Sequence, residues 1–167
     1  MAAHAGTAFS LTAGIARAVA IRGDAIALVD GDRRFTWREH ADRVARLAGV
    51  LRDHGVGPGE RVSILADSSH AYVEAYHAAP WAGGVLAPVN SRFAPAEMLE
   101  VLQDATPRVL LADAAHAELA ARLAQQMAVP ARVLGIGAAV EAMMAARAPM
   151  ADAGRAAGLA FRHDLMA

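Results

Sequence analysis

The 167-residue sequence contains neither cysteine nor lysine, since all 16 of its basic residues are arginine. The absence of cysteine excludes disulfide bonds, zinc sites built on thiolates and cysteine nucleophiles. The absence of lysine excludes a Schiff-base lysine and the Gly-Lys-Ser/Thr step of a Walker-type phosphate loop. It also means that no lysine ammonium of this chain can hold a phosphate group.

The sequence also lacks a strong charge bias and a long apolar run. The formal net charge is −1, which gives no electrostatic footprint for nucleic acid. The most apolar window, residues 78–89, contains prolines and glycines and is too short to span a bilayer. The N-terminus has no basic region followed by a clean apolar segment, which a signal peptide requires. We therefore expect a cytoplasmic protein with no membrane span and no nucleic-acid partner.

The stretch Gly55–Thr106 organises the rest of the chain. It contains two short apolar runs, Arg61–Ala66 and Val85–Val89. Each run is followed by a segment with helix-start signals, serines before the helix at 70–82 and a proline at the first position of the helix at 95–105. Strands that are apolar along their whole length and separated by helices imply a parallel sheet buried on both faces.

The N-terminal part predicts a helix and a hairpin ahead of this sheet. Thr7–Ala20 reads as a helix, and Ala25–Val29 and Arg33–Thr36 read as two strands joined at a tight Asp30-Gly31 turn. The sequence Thr36–Glu39 is a capping box, which predicts that a helix begins there.

The C-terminal part continues the alternation of strands and helices. Arg108–Ala112 and Arg132–Ile136 are apolar runs that predict two further strands. Between them we expect a helix capped by Asp113, and after them a helix over Ala138–Arg147. The predicted fold class is α/β, with a mostly parallel sheet, helices on both faces and a small N-terminal hairpin.

Three blocks of this sequence resemble a known family. They are Trp-Ala-Gly-Gly-Val-Leu-Ala-Pro-Val-Asn at 81–90, Asp-Ala-Thr-Pro-Arg-Val-Leu-Leu at 104–111 and the weaker Phe-Thr-Trp-Arg-Glu at 35–39. They are similar to the first part of the adenylate-forming enzymes, which include acyl-CoA synthetases and acid–CoA ligases with an AMP-binding domain. The resemblance extends over residues 24–126, so it indicates the N-terminal subdomain of that fold.

The resemblance implies a reaction in two steps. A carboxylic acid, such as a fatty acid, attacks ATP to give an acyl-adenylate and pyrophosphate, and the thiol of CoA then displaces AMP. ATP, Mg²⁺ and CoA are therefore the ligands of the parent family. Its phosphate loop, adenine and acyl pockets, hinge and catalytic lysine come from later residues, so none of them is carried over to this chain.

The same resemblance predicts the domain organisation. Residues 1–149 are expected to form the N-terminal α/β subdomain, and residues 150–167 a linker or truncated tail. In the family, a strand and then a Ser/Thr/Gly-rich loop with a lysine follow closely after this point. A truncated gene, a frameshifted tail or a trimmed chain would each explain why they do not follow here.

The polar cluster Asn90-Ser91-Arg92 is the candidate site. It follows the Val85–Val89 run, and open α/β sheets place their ligand crevices at the carboxyl ends of strands. A matching Asn-x-Arg step recurs in acyl-CoA synthetases, which implies that Asn90 and Arg92 contribute to the substrate or CoA side of the family's crevice. The alternative is structural: Asn90 ties a loop, and Arg92 pairs with a carboxylate such as Glu97.

Two glycine-rich segments are weaker candidates for nucleotide binding. Gly55–Gly59 precedes a strand, so it cannot direct the N–H groups of a helix at a phosphate. Gly135-Ile136-Gly137 follows a strand, but Val140 occupies the position of the third fingerprint glycine. We therefore interpret both segments as turns.

Histidine, serine and carboxylate residues offer no complete catalytic or metal pattern. His70, His77 and His116 lack the spacing of a metal motif, and His77 is expected to be a hydrogen-bonded histidine at the edge of the core. Ser68 and Ser69 are interpreted as helix caps, because there is no nucleophile-elbow sequence. The acidic residues are expected at caps or on solvent-facing sides of helices, namely Asp67, Glu74, Glu97, Glu100 and Asp104.

Three functional hypotheses follow. The first is a truncated acyl-CoA synthetase-like protein that is inactive alone. The second is a non-catalytic α/β module that associates with itself or with a chain carrying the missing portion, because an uncovered sheet edge favours association. The third is a free-standing nucleotide-binding domain.

Overall fold

The computed structural model of the chain describes residues 11–149. A hairpin and then alternating helices and strands follow a first helix, in the order that the sequence predicts. The helices are α1 (Ala13–Arg22), α2 (Trp37–Asp53), α3 (His70–Trp81), α4 (Pro95–Ala105), α5 (Ala117–Gln126) and α6 (Ala138–Ala145). The strands are β1 (Ile26–Asp30), β2 (Arg33–Thr36), β3 (Arg61–Leu65), β4 (Val85–Pro88), β5 (Val109–Ala112) and β6 (Arg132–Gly135).

The main sheet contains four parallel strands in the order β4-β3-β5-β6. Val62 pairs with Leu86 of β4 on one side and with Val109 of β5 on the other. The strands predicted at 61–66, 85–89 and 108–112 therefore lie side by side and run the same way. The predicted α/β fold class is confirmed.

Helices cover both faces of this sheet, because successive strand residues point to opposite sides. Val62, Ile64 and Leu111 face one apolar cluster with α2, α3 and α6, and α1 adds to it from outside. Leu65 and Leu110 face a second cluster with α4 and α5. Both β3 and β5 are consequently buried on two sides, which explains their continuously apolar sequences.

The hairpin β1–β2 leads directly into α2. Gly31 takes the positive φ of 57° that this turn needs. The backbone N–H of Glu39 donates to Thr36 Oγ1 at 3.2 Å, and the backbone N–H of Thr36 donates to Glu39 Oε2 at 2.8 Å. The capping box predicted from the sequence is therefore formed, and it fixes the point at which the strand becomes a helix.

A charged network joins the hairpin, α2, α3 and α6, and it corrects one expectation. Arg43 of α2 donates to Glu74 Oε1 of α3 at 2.5 Å and to Glu141 Oε1 of α6 at 2.5 Å. The guanidinium also lies over the ring of Phe35, 5.2 Å from its centroid. Glu74 was expected to face solvent but is only 2% exposed. Its burial is possible because Arg43 balances its charge.

Two helix starts differ from the sequence-based prediction. Helix α5 begins at Ala117 and not next to Asp113, because the Asp113 carboxylate accepts the His116 backbone N–H at 2.9 Å and forms a separate turn. Helix α1 begins at Ala13, and the predicted start at Thr7 lies outside the described residues. Between residues 11 and 149, no helix combines the length and the apolar composition needed to cross a membrane.

Candidate functional site

A surface cleft of about 450 Å³ lies where β3 and β4 end. Parallel neighbours finish at the same edge of a sheet, so the turns that follow them form the two walls. Tyr72, from the first turn of α3, closes the side between these walls. The lining residues are Ala66, Asp67, Ser68, Tyr72, Pro88, Val89, Asn90, Ser91 and Arg92.

The predicted residues Asn90 and Arg92 both line this cleft. Asn90 Oδ1 accepts the backbone N–H of Arg92 at 3.0 Å, and the Asn90 carbonyl accepts the N–H of Phe93 at 3.1 Å. Asn90 therefore ties the loop, as the structural alternative expected. The same turn fixes the backbone of Arg92 at the rim of the cleft.

The expected pairing of Arg92 with Glu97 does not occur among the described residues. Glu97 Oε2 accepts the N–H of Ala94 at 2.7 Å, so this carboxylate caps α4. Within residues 11–149, the exposed guanidinium of Arg92 has no ion pair with Glu97 or with another carboxylate. Arg92 therefore places a positive charge beside the cleft.

A compact polar cluster adjoins the cleft at Asp67. Asp113 Oδ2 accepts the N–H of Asp67 at 2.8 Å, and Asp113 Oδ1 lies 2.6 Å from His116 Nδ1. Burial raises the pKa of Asp113, but the hydrogen bonds from Asp67 and His116 outweigh it, so the pKa lies below its ordinary value. The cluster joins the ends of β3 and β5, which are neighbours in the sheet.

Two groups in the described part of the chain bring three metal-ligating side chains within 4.8 Å of one another. One is Asp67 with Asp113 and His116. In that group both oxygens of Asp113 already accept hydrogen bonds from the protein. The other group consists of His70, Glu74 and Glu141, and there Arg43 already forms ion pairs with both carboxylates.

The other residues considered as candidates from the sequence lie in turns, helix caps or hydrogen bonds within the fold. The Gly55–Gly59 segment is a turn before β3, and Ser69 Oγ caps α3 by accepting the N–H of Tyr72 at 3.3 Å. His77 is half-buried and lies 3.1 Å from the carbonyl of Val73, so the expected hydrogen-bonded histidine at the core edge is confirmed. His70 Nδ1 lies 2.6 Å from Asp30 Oδ2 of the hairpin.

Sequence reasoning found Asn90 and Arg92 but did not place Asp67, Ser68 and Tyr72 beside them. The available signal was that Asp67 and Ser68 directly follow the apolar run that became β3. What the sequence does not carry is the order of the strands, which makes β3 the neighbour of β4 and of β5.

The sequence model of the family described as "AMP-binding enzyme" matches residues 15–158. The chain belongs to this family. The structural features fit the assignment, since the parallel sheet, the helices on both faces and the hairpin occur in the N-terminal domain of adenylate-forming enzymes.

Curated members of the AMP-binding family and one solved structure illustrate the similarity. A 3-hydroxybenzoate–CoA ligase of Aromatoleum sp. (strain CIB) is 37% identical over 115 residues, which are 69% of this chain and 22% of the relative. A feruloyl-CoA synthase of Amycolatopsis sp. is 41% identical over 100 residues, 60% of this chain and 20% of the relative. A benzoate CoA ligase from Burkholderia xenovorans LB400 superposes with a TM-score of 0.78 at 24% identity, over 86% of this chain and 30% of that one.

The chain spans about a fifth of the length of these two curated relatives. The family and the fold are therefore shown for this chain. The reaction, the substrates and the partners of a whole family member belong to the proposals that follow.

Proposed function

We propose that this chain is the N-terminal scaffold of an AMP-forming acid–CoA ligase and that it is catalytically inactive alone. A complete ligase would convert a carboxylic acid, ATP and CoA into a CoA thioester through an acyl-adenylate. This chain would supply the sheet and one wall of a ligand crevice. The groups that bind ATP and Mg²⁺ would come from outside it.

One observation carries this proposal. The family model matches residues 15–158, yet the whole sequence contains no lysine. Negative charge develops on the phosphates during adenylation, and cationic groups and metal ions stabilise it. The candidate cleft offers Arg92, but Asp67 also lines it, and no Gly-rich turn joins a strand to a helix there.

The test is ATP–pyrophosphate exchange with the purified full chain. Benzoate, 3-hydroxybenzoate, ferulate and a fatty acid serve as acids, because the two curated relatives act by name on aromatic acids. We expect no exchange above the buffer rate with any of the four. The Aromatoleum ligase provides the positive control, and exchange by the chain alone would refute the proposal.

We further propose that Asn90 and Arg92 act on the CoA side of the crevice. Asn90 holds the turn, and Arg92 projects from it without an internal partner among the described residues. A guanidinium has the geometry and the permanent charge to bind a phosphate group, and CoA carries several.

The rival function is a non-catalytic module that associates with another polypeptide, and one observation favours it. Strand β4 lies at the edge of the sheet among the described residues, and Val85 at its start is 53% exposed. Tyr76 and Phe93, on the flanking elements, are 46% and 40% exposed. An unpaired strand with apolar neighbours is a ready surface for another chain.

A further inference from the structure

Two histidines contact each other inside the interface between α2 and α3. His40 of α2 is only 2% exposed, and His77 of α3 is half-buried. His40 Nε2 lies 3.2 Å from His77 Nδ1, and the rings meet edge-on with their centroids 5.2 Å apart. These side chains link two helices that pack on the same face of the sheet.

The surroundings of this pair determine how many protons it can hold. His77 Nδ1 also lies 3.1 Å from the carbonyl oxygen of Val73, which can only accept a hydrogen bond. A proton on His77 Nδ1 can be shared between Val73 and His40 Nε2. His40 then carries its own proton on Nδ1, a buried atom that has no partner among residues 11–149.

A second proton in the contact would place two N–H groups against each other. Protonating His40 adds a proton at Nε2, which already faces the Nδ1 proton of His77. The resulting cation would be buried and would have no carboxylate partner among residues 11–149. The nearby charged group on α2 is Arg43, whose positive charge opposes it, and the facing carboxylates Glu74 and Glu141 are both paired with Arg43.

We propose that the His40–His77 contact is an acid-sensitive latch, which joins α2 to α3 only while both rings are neutral, so that mild acid destabilises the folded chain. The latch lies on α3, the helix whose first turn supplies Tyr72 to the cleft. This inference does not depend on the proposed ligase function.

The pKa values of His40 and His77 determine the pH range in which stability changes and the direction of that change. Burial, with further contributions from His77 and Arg43, lowers the pKa of His40 to about 4, and burial also lowers the pKa of His77. In the unfolded chain both would titrate near 6.5. The unfolded state then binds more protons than the folded state below pH 6.5, so stability falls as the pH drops from 6.5 towards 4.

The size of the effect follows from the same values. For His40 alone, a pKa change from 6.5 to about 4 raises the unfolding equilibrium constant about 22-fold between pH 7 and pH 5. Asp30, Glu39, Asp113 and Glu141 also have lowered pKa values, and their contribution to stability is lost mainly below pH 5. The interval from pH 7 to pH 5 therefore isolates the histidines.

The experiment measures urea unfolding of the full chain at pH 7, 6 and 5, comparing wild type with His40→Phe. Phenylalanine keeps a ring of similar size and removes the titrating atoms. Between pH 7 and pH 5 we expect the folding equilibrium constant of wild type to fall at least about 20-fold. The fall for His40→Phe should be less than a third as large. His54→Gln is the matched control, because it removes a histidine at the end of α2 outside the contact, and it should behave as wild type does.

Equal pH dependence in wild type and His40→Phe would overturn the latch. If His40→Phe does not fold, the ring-nitrogen resonances of His40 in the wild-type chain decide instead. They should stay those of a neutral imidazole with the proton on Nδ1 down to pH 5. A titration of His40 with a midpoint near 6.5 in the folded chain would contradict the proposal.

Discussion

Arg92 shows how a single side chain can be tested independently of the complete reaction. Its backbone is held by Asn90, and its guanidinium has no carboxylate partner within residues 11–149. Replacing it should therefore remove a charge from the cleft without disturbing the fold. Exposed arginines elsewhere on the chain offer a direct comparison.

We predict that Arg92→Leu weakens the binding of CoA to the full chain about tenfold, because one charge-assisted hydrogen bond to phosphate contributes about 1.5–3 kcal/mol and exposure reduces it. Isothermal titration calorimetry at low ionic strength measures the dissociation constant. Arg122→Leu on α5, which removes an exposed arginine paired with Glu118, should leave CoA binding unchanged. Failure of wild type to bind CoA, or equal affinity in both variants, would contradict a role for Arg92.

The burial of Glu74 could not be predicted from the sequence. Its position within α3 gives no sign of burial, because its partner Arg43 lies 31 residues earlier on another helix. Asn90 was predictable for the opposite reason. Its place at the cleft follows from the end of β4 directly before it, which is local information.

At the scale of elements, capping side chains determine where the predicted helices begin. In the capping box at the start of α2, the Thr36 side chain accepts the backbone N–H of Glu39, and the Glu39 carboxylate accepts the backbone N–H of Thr36. The hydrogen bonds from Thr36 also lower the pKa of Glu39. Such reciprocal contacts were readable from the spacing alone. The start of α5 was not, because the Asp113 carboxylate also binds the N–H of Asp67, 46 residues earlier.

We predict that Thr36→Ala destabilises the chain by about 1 kcal/mol, because the N–H of Glu39 loses its acceptor at the helix start. The midpoint of urea unfolding at pH 7 reports the change. Thr36→Ser keeps the hydroxyl and should unfold within about 0.3 kcal/mol of wild type. A Thr36→Ser variant as unstable as Thr36→Ala would show that the methyl group, and not the cap, matters.

At the scale of the whole molecule, the parallel arrangement was predictable and the strand order was not. Continuous apolar runs separated by helices require parallel strands buried on both faces. They do not say that β3 lies between β4 and β5, and the neighbours of Asp67 in the candidate site depend on that order. The exposed edge of β4 follows from the same order.

We predict that the purified chain self-associates at this edge and that Val85→Lys reduces the association. A charged residue on an edge strand disfavours pairing with another strand. Dynamic light scattering over a range of concentrations gives the apparent size, and binding of an apolar dye reports the exposed surface. Val129→Lys, which changes a 61% exposed valine outside the strands, is the control. Wild type that stays monomeric and binds no dye would remove the basis for the edge interface.

The hydrogen bond between Asp30 and the start of α3 has a practical consequence for shortening this chain. Asp30 Oδ2 accepts the backbone N–H of His70 at 2.9 Å, so a residue of the hairpin serves the first turn of a helix 40 positions later. A shortened piece that began at Trp37 would keep every strand of the main sheet but leave that helix end without its acceptor. A shortened chain therefore keeps this hydrogen bond at the start of α3 only if it includes the hairpin.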